Sequence, residues 1–123
     1  MNPNPPLKDK TILITRPEEL AGPLFQRIND AGGNAKYYPV ICIKDVEESE
    51  ALNSVINNLA SFDIAIFISP TAVQKSLRKI SVLPENLVLA VIGSSTEAML
   101  HNYHFSAQIV PDGFNTEALL QHP

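Results

Sequence analysis

A single cysteine, Cys42, stands in 123 residues, which excludes a disulfide framework and suits a reducing compartment. It lies between Ile41 and Ile43 and reads as a small apolar filler. Basic residues are equally sparse: nine Lys and Arg do not offset a formal net charge of −4. The one close group, Lys75, Arg78 and Lys79, reads as the solvated face of a helix. That balance excludes nucleic acid as a partner. No apolar run approaches a membrane span, and the stretch Met1–Pro6 lacks the apolar core of a signal peptide. The expectation is a cytoplasmic protein with no membrane partner, opening with a loose proline-rich lead-in at 1–10.

Chemistry-bearing motifs are missing as well. Neither G-x-G-x-x-G nor G-x-x-x-x-G-K-[ST] occurs, so the nucleotide loops that cradle phosphate are absent. His101 and His104 stand i, i+3 without a neighbouring carboxylate or cysteine, which fits a solvated helix end better than a metal site. No metal ligand set is expected.

What the chain does have is a series of short apolar runs, each followed by a helical pattern. Thr11–Thr15, Ala35–Tyr38, Ile64–Ile68, Leu87–Ile92 and Ala107–Val110 read as strands. After the first, a helix is expected from Leu20 or Ala21, with Pro23 in its first turn and Leu20, Leu24, Phe25, Ile28 and Ala31 facing the core. Gly32-Gly33 ends it, where a left-handed residue is needed. Ser49 caps a second helix whose core face is Leu52, Val55, Ile56 and Leu59. Ser69 caps a third with Pro70 at its first position. Ser94 with Glu97 suggests a capping box for a fourth, and Asn115 caps a last segment from Thr116 to Gln121. Strands apolar on both faces, alternating with helices, imply a parallel sheet covered on two sides. The expected fold is a flavodoxin-like, doubly wound α/β sheet of about five strands, whose ligands bind at the carboxyl ends of the strands.

Phe67-Ile-Ser-Pro-Thr71 and Val91-Ile-Gly-Ser-Ser-Thr96 each end an apolar run in small hydroxyl residues. A strand turning there into a helix aims free N–H groups, a positive helix dipole and hydroxyls at one spot, which is an arrangement for holding an anion. With Arg16 and Asn115, these turns are expected to form one anion-binding cleft on a shared sheet edge. Simple N-capping is the plainer reading of each hydroxyl taken alone. The first and third strand ends hold Thr15-Arg16 and Ser69, not the acids of a phospho-acceptor domain. Glu18-Glu19 places acid where a flavin phosphate would sit. Ser69 has no His–Asp pair to make it a nucleophile.

Taken together, Thr11–Pro17 (TILITRP), Ala31–Ala35 (AGGNA), Tyr38–Val40 (YPV), Phe67–Val73 (FISPTAV), Ala90–Leu100 (AVIGSSTEAML) and Phe114–Leu120 (FNTEALL) follow an order that resembles uroporphyrinogen-III synthase. The likeness covers nearly the whole chain after residue 10. It implies an enzyme that closes the linear tetrapyrrole hydroxymethylbilane into uroporphyrinogen III with inversion of the last ring, using no metal or organic cofactor. It further implies a cleft between two α/β domains that holds the acetate and propionate groups of a small-molecule polycarboxylate. There the substrate loses its hydroxyl to give an azafulvene while the protein controls its folded geometry. By position, the resemblance makes Thr96 the candidate catalytic residue. The candidate substrate-binding residues are Arg16, Ser69, Thr71, Gly93, Ser94, Ser95, Asn115 and Thr116.

Members of that family are about twice as long, so the resemblance covers an amino-terminal half. The tyrosine proposed to assist loss of the hydroxyl falls in the other half; Tyr37 and Tyr38 read as packing residues. The expected division is 11–45, a first β-α-β unit with an extended linker, and 46–123, the units with the hydroxyl turns. Either the first unit folds back to make one five-stranded domain, or two chains exchange it as a domain-swapped homodimer. Such a half is expected to be inactive alone. The alternative function is a non-catalytic module binding a small anionic ligand or a partner protein.

Overall fold

The computed structural model describes residues 5–113 and 115–122; the first four residues of the lead-in, Phe114 and Pro123 lie outside them. The chain forms two compact units that divide between Val46 and Glu47.

In the first unit, strand β1 (Thr11–Ile14), helix α1 (Glu18–Asp30) and strand β2 (Asn34–Tyr37) make one parallel β-α-β step. Ile12 pairs with Ala35 and Ile14 with Tyr37. Ile14, Ala21, Ile28 and Ala35 form its core, with Leu7, Ile12 and Tyr37 packed against them. From Pro5 onward the lead-in is a turn tied to α1, the Leu7 N–H donating to Ala31 O at 3.0 Å. Gly32 has φ +81°, and a Cβ there would stand 2.5 Å from Pro5 Cγ, so the step from helix to strand needs glycine. Two expectations for α1 are corrected. It begins at Glu18, so Pro23 falls inside it rather than in its first turn. Its buried residues are Ala21 and Ile28, while Leu20, Leu24 and Phe25 remain 37–38% exposed. A two-stranded sheet is narrow, and only the innermost line of the helix meets it.

In the second unit, helix α2 (Glu50–Asn57) and a short 3-10 turn (Leu59–Ser61) precede strand β3 (Ile64–Phe67). Helix α3 (Pro70–Leu77), strand β4 (Val88–Val91), helix α4 (Ser94–Asn102) and helix α5 (Thr116–Leu120) follow. β3 and β4 pair in parallel, Ile64 with Val88 through Phe67 with Val91. Phe67, Val73, Leu77, Leu87, Leu89, Val91 and Leu100 build the core, joining one sheet face to α3 and α4.

The five-stranded sheet is therefore corrected to two two-stranded sheets among the described residues. Apolar runs of this kind satisfy any parallel sheet, and their period does not say which strands share one. Between the sheets, Pro39 lacks a ladder donor, and 38–49 carries no helix or strand. The expected fifth strand, 107–110, is reduced to a parallel bridge of Ile109 to Ala90. The cause is visible at Gln108, whose Oε1 accepts the Leu89 N–H at 2.7 Å in place of a backbone carbonyl. Helices on both faces are corrected too: α2 has no buried residue, and Ile64 and Ile66 on the face away from the core are 49% and 54% exposed.

Candidate functional site

The second unit sets two strand-to-helix turns side by side. Just past the Phe67–Val91 pair, the Ile92 N–H donates to Phe67 O at 3.1 Å. The chain then enters α3 through Ser69 and α4 through Gly93. Both helix N-termini thus stand at the carboxyl end of adjacent parallel strands, with the positive ends of their dipoles at one edge.

The two turns treat their first N–H groups differently. At α3, Ser69 Oγ accepts the Ala72 N–H at 3.1 Å, and Ser69 O accepts the Val73 N–H at 3.3 Å. Pro70 brings no donor. The Ser69 hydroxyl is thereby engaged as a cap, and Thr71 supplies the half-buried hydroxyl beside it. At α4 the N-cap is Gly93, with φ +87° and ψ 143°, a region that side-chain-bearing residues avoid. Its carbonyl accepts the N–H groups of Thr96 at 3.1 Å and Glu97 at 3.2 Å, and no side chain caps the helix. The expected capping box is corrected: Ser94 is the first helical residue, displaced from the cap by a glycine free to take positive φ. Ser94 and Ser95 are exposed. Thr96 is 1% exposed and is the one buried polar residue among those described. It lies in the first turn of α4.

Of the other expected site residues, two belong to the start of α5 and one to the first unit. Asn115 caps α5, its Oδ1 accepting the Ala118 N–H at 2.9 Å, and Thr116 is exposed as the first residue of that five-residue helix. Arg16 is exposed just past β1, in the first unit. Since β1 and β3 belong to different sheets, one shared sheet edge carrying Arg16 with the hydroxyl turns is not formed.

The first unit holds a feature that sequence reasoning passed over. Tyr37 does pack in the core, but its hydroxyl is buried without a partner among the described residues. Its pKa is raised, first by that burial, then by the negative charges of Glu18 and Glu19 and by Cys42. A surface groove of about 280 Å³ beside it is lined by Glu18, Ala21, Gly22, Phe25 and Tyr37. The parallel pairing of Ile14 with Tyr37 was the available signal, since it brings Tyr37 to the strand end where α1 begins. Cys42, expected as a buried filler, is exposed. Among the described residues no group of three or more His, Cys, Asp or Glu could hold a metal ion. No described helix is long and apolar enough to cross a membrane.

Comparison with known proteins gives this arrangement a context. Residues 23–122 match the family described as uroporphyrinogen-III synthase HemD. The chain is 27% identical over 122 residues to a uroporphyrinogen-III synthase of Synechococcus elongatus, covering 95% of this chain and 46% of that protein. It is 34% identical over 90 residues to one of Proteus mirabilis, covering 70% of this chain and 45% of that protein. The chain therefore spans less than half the length of these relatives. A crystal structure of uroporphyrinogen-III synthetase from Helicobacter pylori shares the fold, with a TM-score of 0.73 at 21% identity over 94% of this chain and 53% of that one. With four-fifths of its length matched by the family model, the chain belongs to the uroporphyrinogen-III synthase family.

Proposed function

We propose that this chain supplies one wall of a uroporphyrinogen-III synthase, the enzyme that cyclises hydroxymethylbilane to uroporphyrinogen III with inversion of ring D. The observation that carries the reading is the pair of hydroxyl-bearing helix N-termini on adjacent strand ends. It supports an anion-holding surface suited to the acetate and propionate groups of a linear tetrapyrrole. Ser94 and Ser95 at the uncapped start of α4 contact a carboxylate, with Thr71 beside them. Ser69 and Gly93 set the direction of the two helices, and Thr96, buried in the first turn of α4, is the candidate catalytic residue. Arg16, Asn115 and Thr116 add charge and hydroxyls only when substrate and further chain are in place.

Catalysis here consists of holding a folded polycarboxylate so that the ring-closing carbons meet. The leaving hydroxyl departs with a proton, and nothing in this wall is a strong acid to supply it. The chain is read as an amino-terminal half, inactive alone, its opposite wall coming from further polypeptide. The first β-α-β unit either folds back onto its own chain or is exchanged between two copies, and the solution mass of the chain, 13.5 kDa or twice that, separates the two.

The test is cyclisation of hydroxymethylbilane by this chain alone and by a full-length family member, together with binding of uroporphyrin III to this chain. The expected result is binding without closure. Closure at the full-length rate would overturn the incomplete cleft. Loss of binding on neither Ser94→Ala/Ser95→Ala nor Gly93→Val would overturn the site. Binding of unrelated small anions in preference to the tetrapyrrole would favour a non-catalytic anion-binding module.

A further inference from the structure

β4 is the strand from which α4 starts, and its two edges are held by different means. On one side β3 accepts the Val88 N–H at Asp63 O, 2.9 Å, and the Ile92 N–H at Phe67 O, 3.1 Å. The Leu89 and Val91 N–H groups point to the other side. Leu89 and Val91 are 4% and 0% exposed, so a donor left unpaired there would be a buried one.

On that side Ile109 forms a parallel bridge to Ala90. Its O accepts the Val91 N–H at 3.0 Å, and its N–H donates to Leu89 O at 3.2 Å. A parallel ladder would continue two residues back, from the Leu89 N–H to the Ala107 carbonyl. The chain bends at Gln108 instead, and that residue closes the gap twice over. Its Oε1 accepts the Leu89 N–H at 2.7 Å, and its own N–H donates to Leu89 O at 2.9 Å. One side chain thus replaces the missing ladder step. Val91 stands two residues before Gly93, whose carbonyl and positive φ start α4. Slack in the outer edge of β4 would pass directly into that turn.

We propose that Gln108 is a positioning residue for the α4 turn. By holding Leu89 it fixes the end of β4, and with it the direction in which Ser94 and Ser95 meet a substrate carboxylate. This rests on the assignment of those two serines to the carboxylate. Leu89 lies four residues back from Gly93, roughly 13 Å along an extended chain, so Gln108 acts through the strand and not on the ligand.

The test compares Gln108→Met, which keeps the length of the side chain and removes the acceptor, with Gln108→Glu, which keeps an acceptor oxygen at the same reach. Gln108 is itself exposed, so the carboxylate stays solvated. Uroporphyrin III is titrated into the intact chain well below the unfolding midpoint, and amide hydrogen exchange is followed on the same samples. Gln108→Met should weaken binding about ten-fold and speed exchange of the Thr96 and Glu97 N–H groups, which Gly93 O accepts. The Ala72 N–H at the start of α3 should keep its protection. Gln108→Glu should restore affinity and exchange to near the natural values. Should Gln108→Met not fold, Gln108→Asn, one methylene short of the Leu89 N–H, takes its place. A lowered midpoint with natural affinity and natural Thr96 and Glu97 exchange makes Gln108 a stability residue only and overturns the proposal. Acceleration at Ala72 equal to that at Thr96 overturns it as well. If the natural chain binds no uroporphyrin III, the carboxylate-holding reading of α4 fails by itself. Selective acceleration at Thr96 and Glu97 would then still uphold Gln108 as the residue that holds the turn, and unchanged exchange would overturn it.

Discussion

Among the described residues three strands, β1, β3 and β4, turn directly into helices, and the turn in the first unit differs in kind from the two in the second. After β1 the chain meets Arg16, Pro17 and then Glu18 and Glu19 in the first turn of α1, with no side-chain cap. The carboxylates satisfy the helix dipole from within. After β3 the first turn of α3 holds no acidic residue, and after β4 the first turn of α4 holds one, Glu97, so the dipole of α3 is left for something else to satisfy and that of α4 is only partly offset. One geometry thus yields a helix start offset by two carboxylates in the first unit and, in the second, one start with none and one with a single carboxylate. The field around Tyr37, whose pKa Glu18 and Glu19 help to raise, marks the first turn as the wrong place for a carboxylate.

The largest effect should separate the two units by their cores. Leu100 is fully buried between the sheet and α3 in the larger core. Leu100→Ala should cost about 3 kcal/mol or more, read as a shift in the denaturation midpoint. If the units unfold separately, only the transition reporting the second unit should move. A first unit that loses as much would end the comparison of the two as independent folding blocks.

Between the second unit's own turns, Gly93→Ala should cost about 1–3 kcal/mol because of the positive φ at that position, with tetrapyrrole binding lost as α4 shifts. Ser69→Ala should cost about 1 kcal/mol, the usual value of a lost cap. Ser94→Ala should leave the midpoint nearly unchanged and yet weaken binding. Equal costs for Ser69→Ala and Ser94→Ala would make both serines caps and remove the distinction between a structural turn and a ligand-facing one.

Which of these differences could be read from the sequence follows from how local each cause is. The caps at Ser49, Ser69 and Asn115 depend on a side chain and an N–H three residues on, and all three appear as expected. Positive φ at Gly32 was legible for the same reason. At Ser94 a local rule was present but lost to a neighbour, since Gly93 could take a conformation no serine cap requires. Sheet membership was not legible, because Thr11–Ile14 and Ile64–Phe67 have equivalent apolar patterns and only tertiary pairing separates them. The buried line of α1 was legible only in part for a related reason: Ile28 is buried as expected, but the narrow sheet beneath α1 covers Ala21 beside it and leaves Leu20, Leu24 and Phe25 on the same helical face more than a third exposed.

The smallest effect tests the first unit's acidic turn. Tyr37 keeps a hydroxyl in the core without a partner, so Tyr37→Phe removes a polar atom that gains nothing from folding. The variant should be as stable as the natural chain or more so at neutral pH. The pH dependence has a definite sign. A pKa raised above the ordinary 10.0 means that the folded chain holds the phenolic proton more tightly than the unfolded one. Stability is then level below pH 10 and falls as pH rises through the folded pKa, since the unfolded chain ionises first. Tyr37→Phe should remove that alkaline loss, and Glu18→Gln should lessen it, both measured by denaturant midpoints from pH 8 upward. If Glu18→Gln combined with Glu19→Gln left the alkaline loss unchanged, the two carboxylates would have no part in the shift. The first turn would then lack the negative field that sets it apart from the two hydroxyl turns of the second unit.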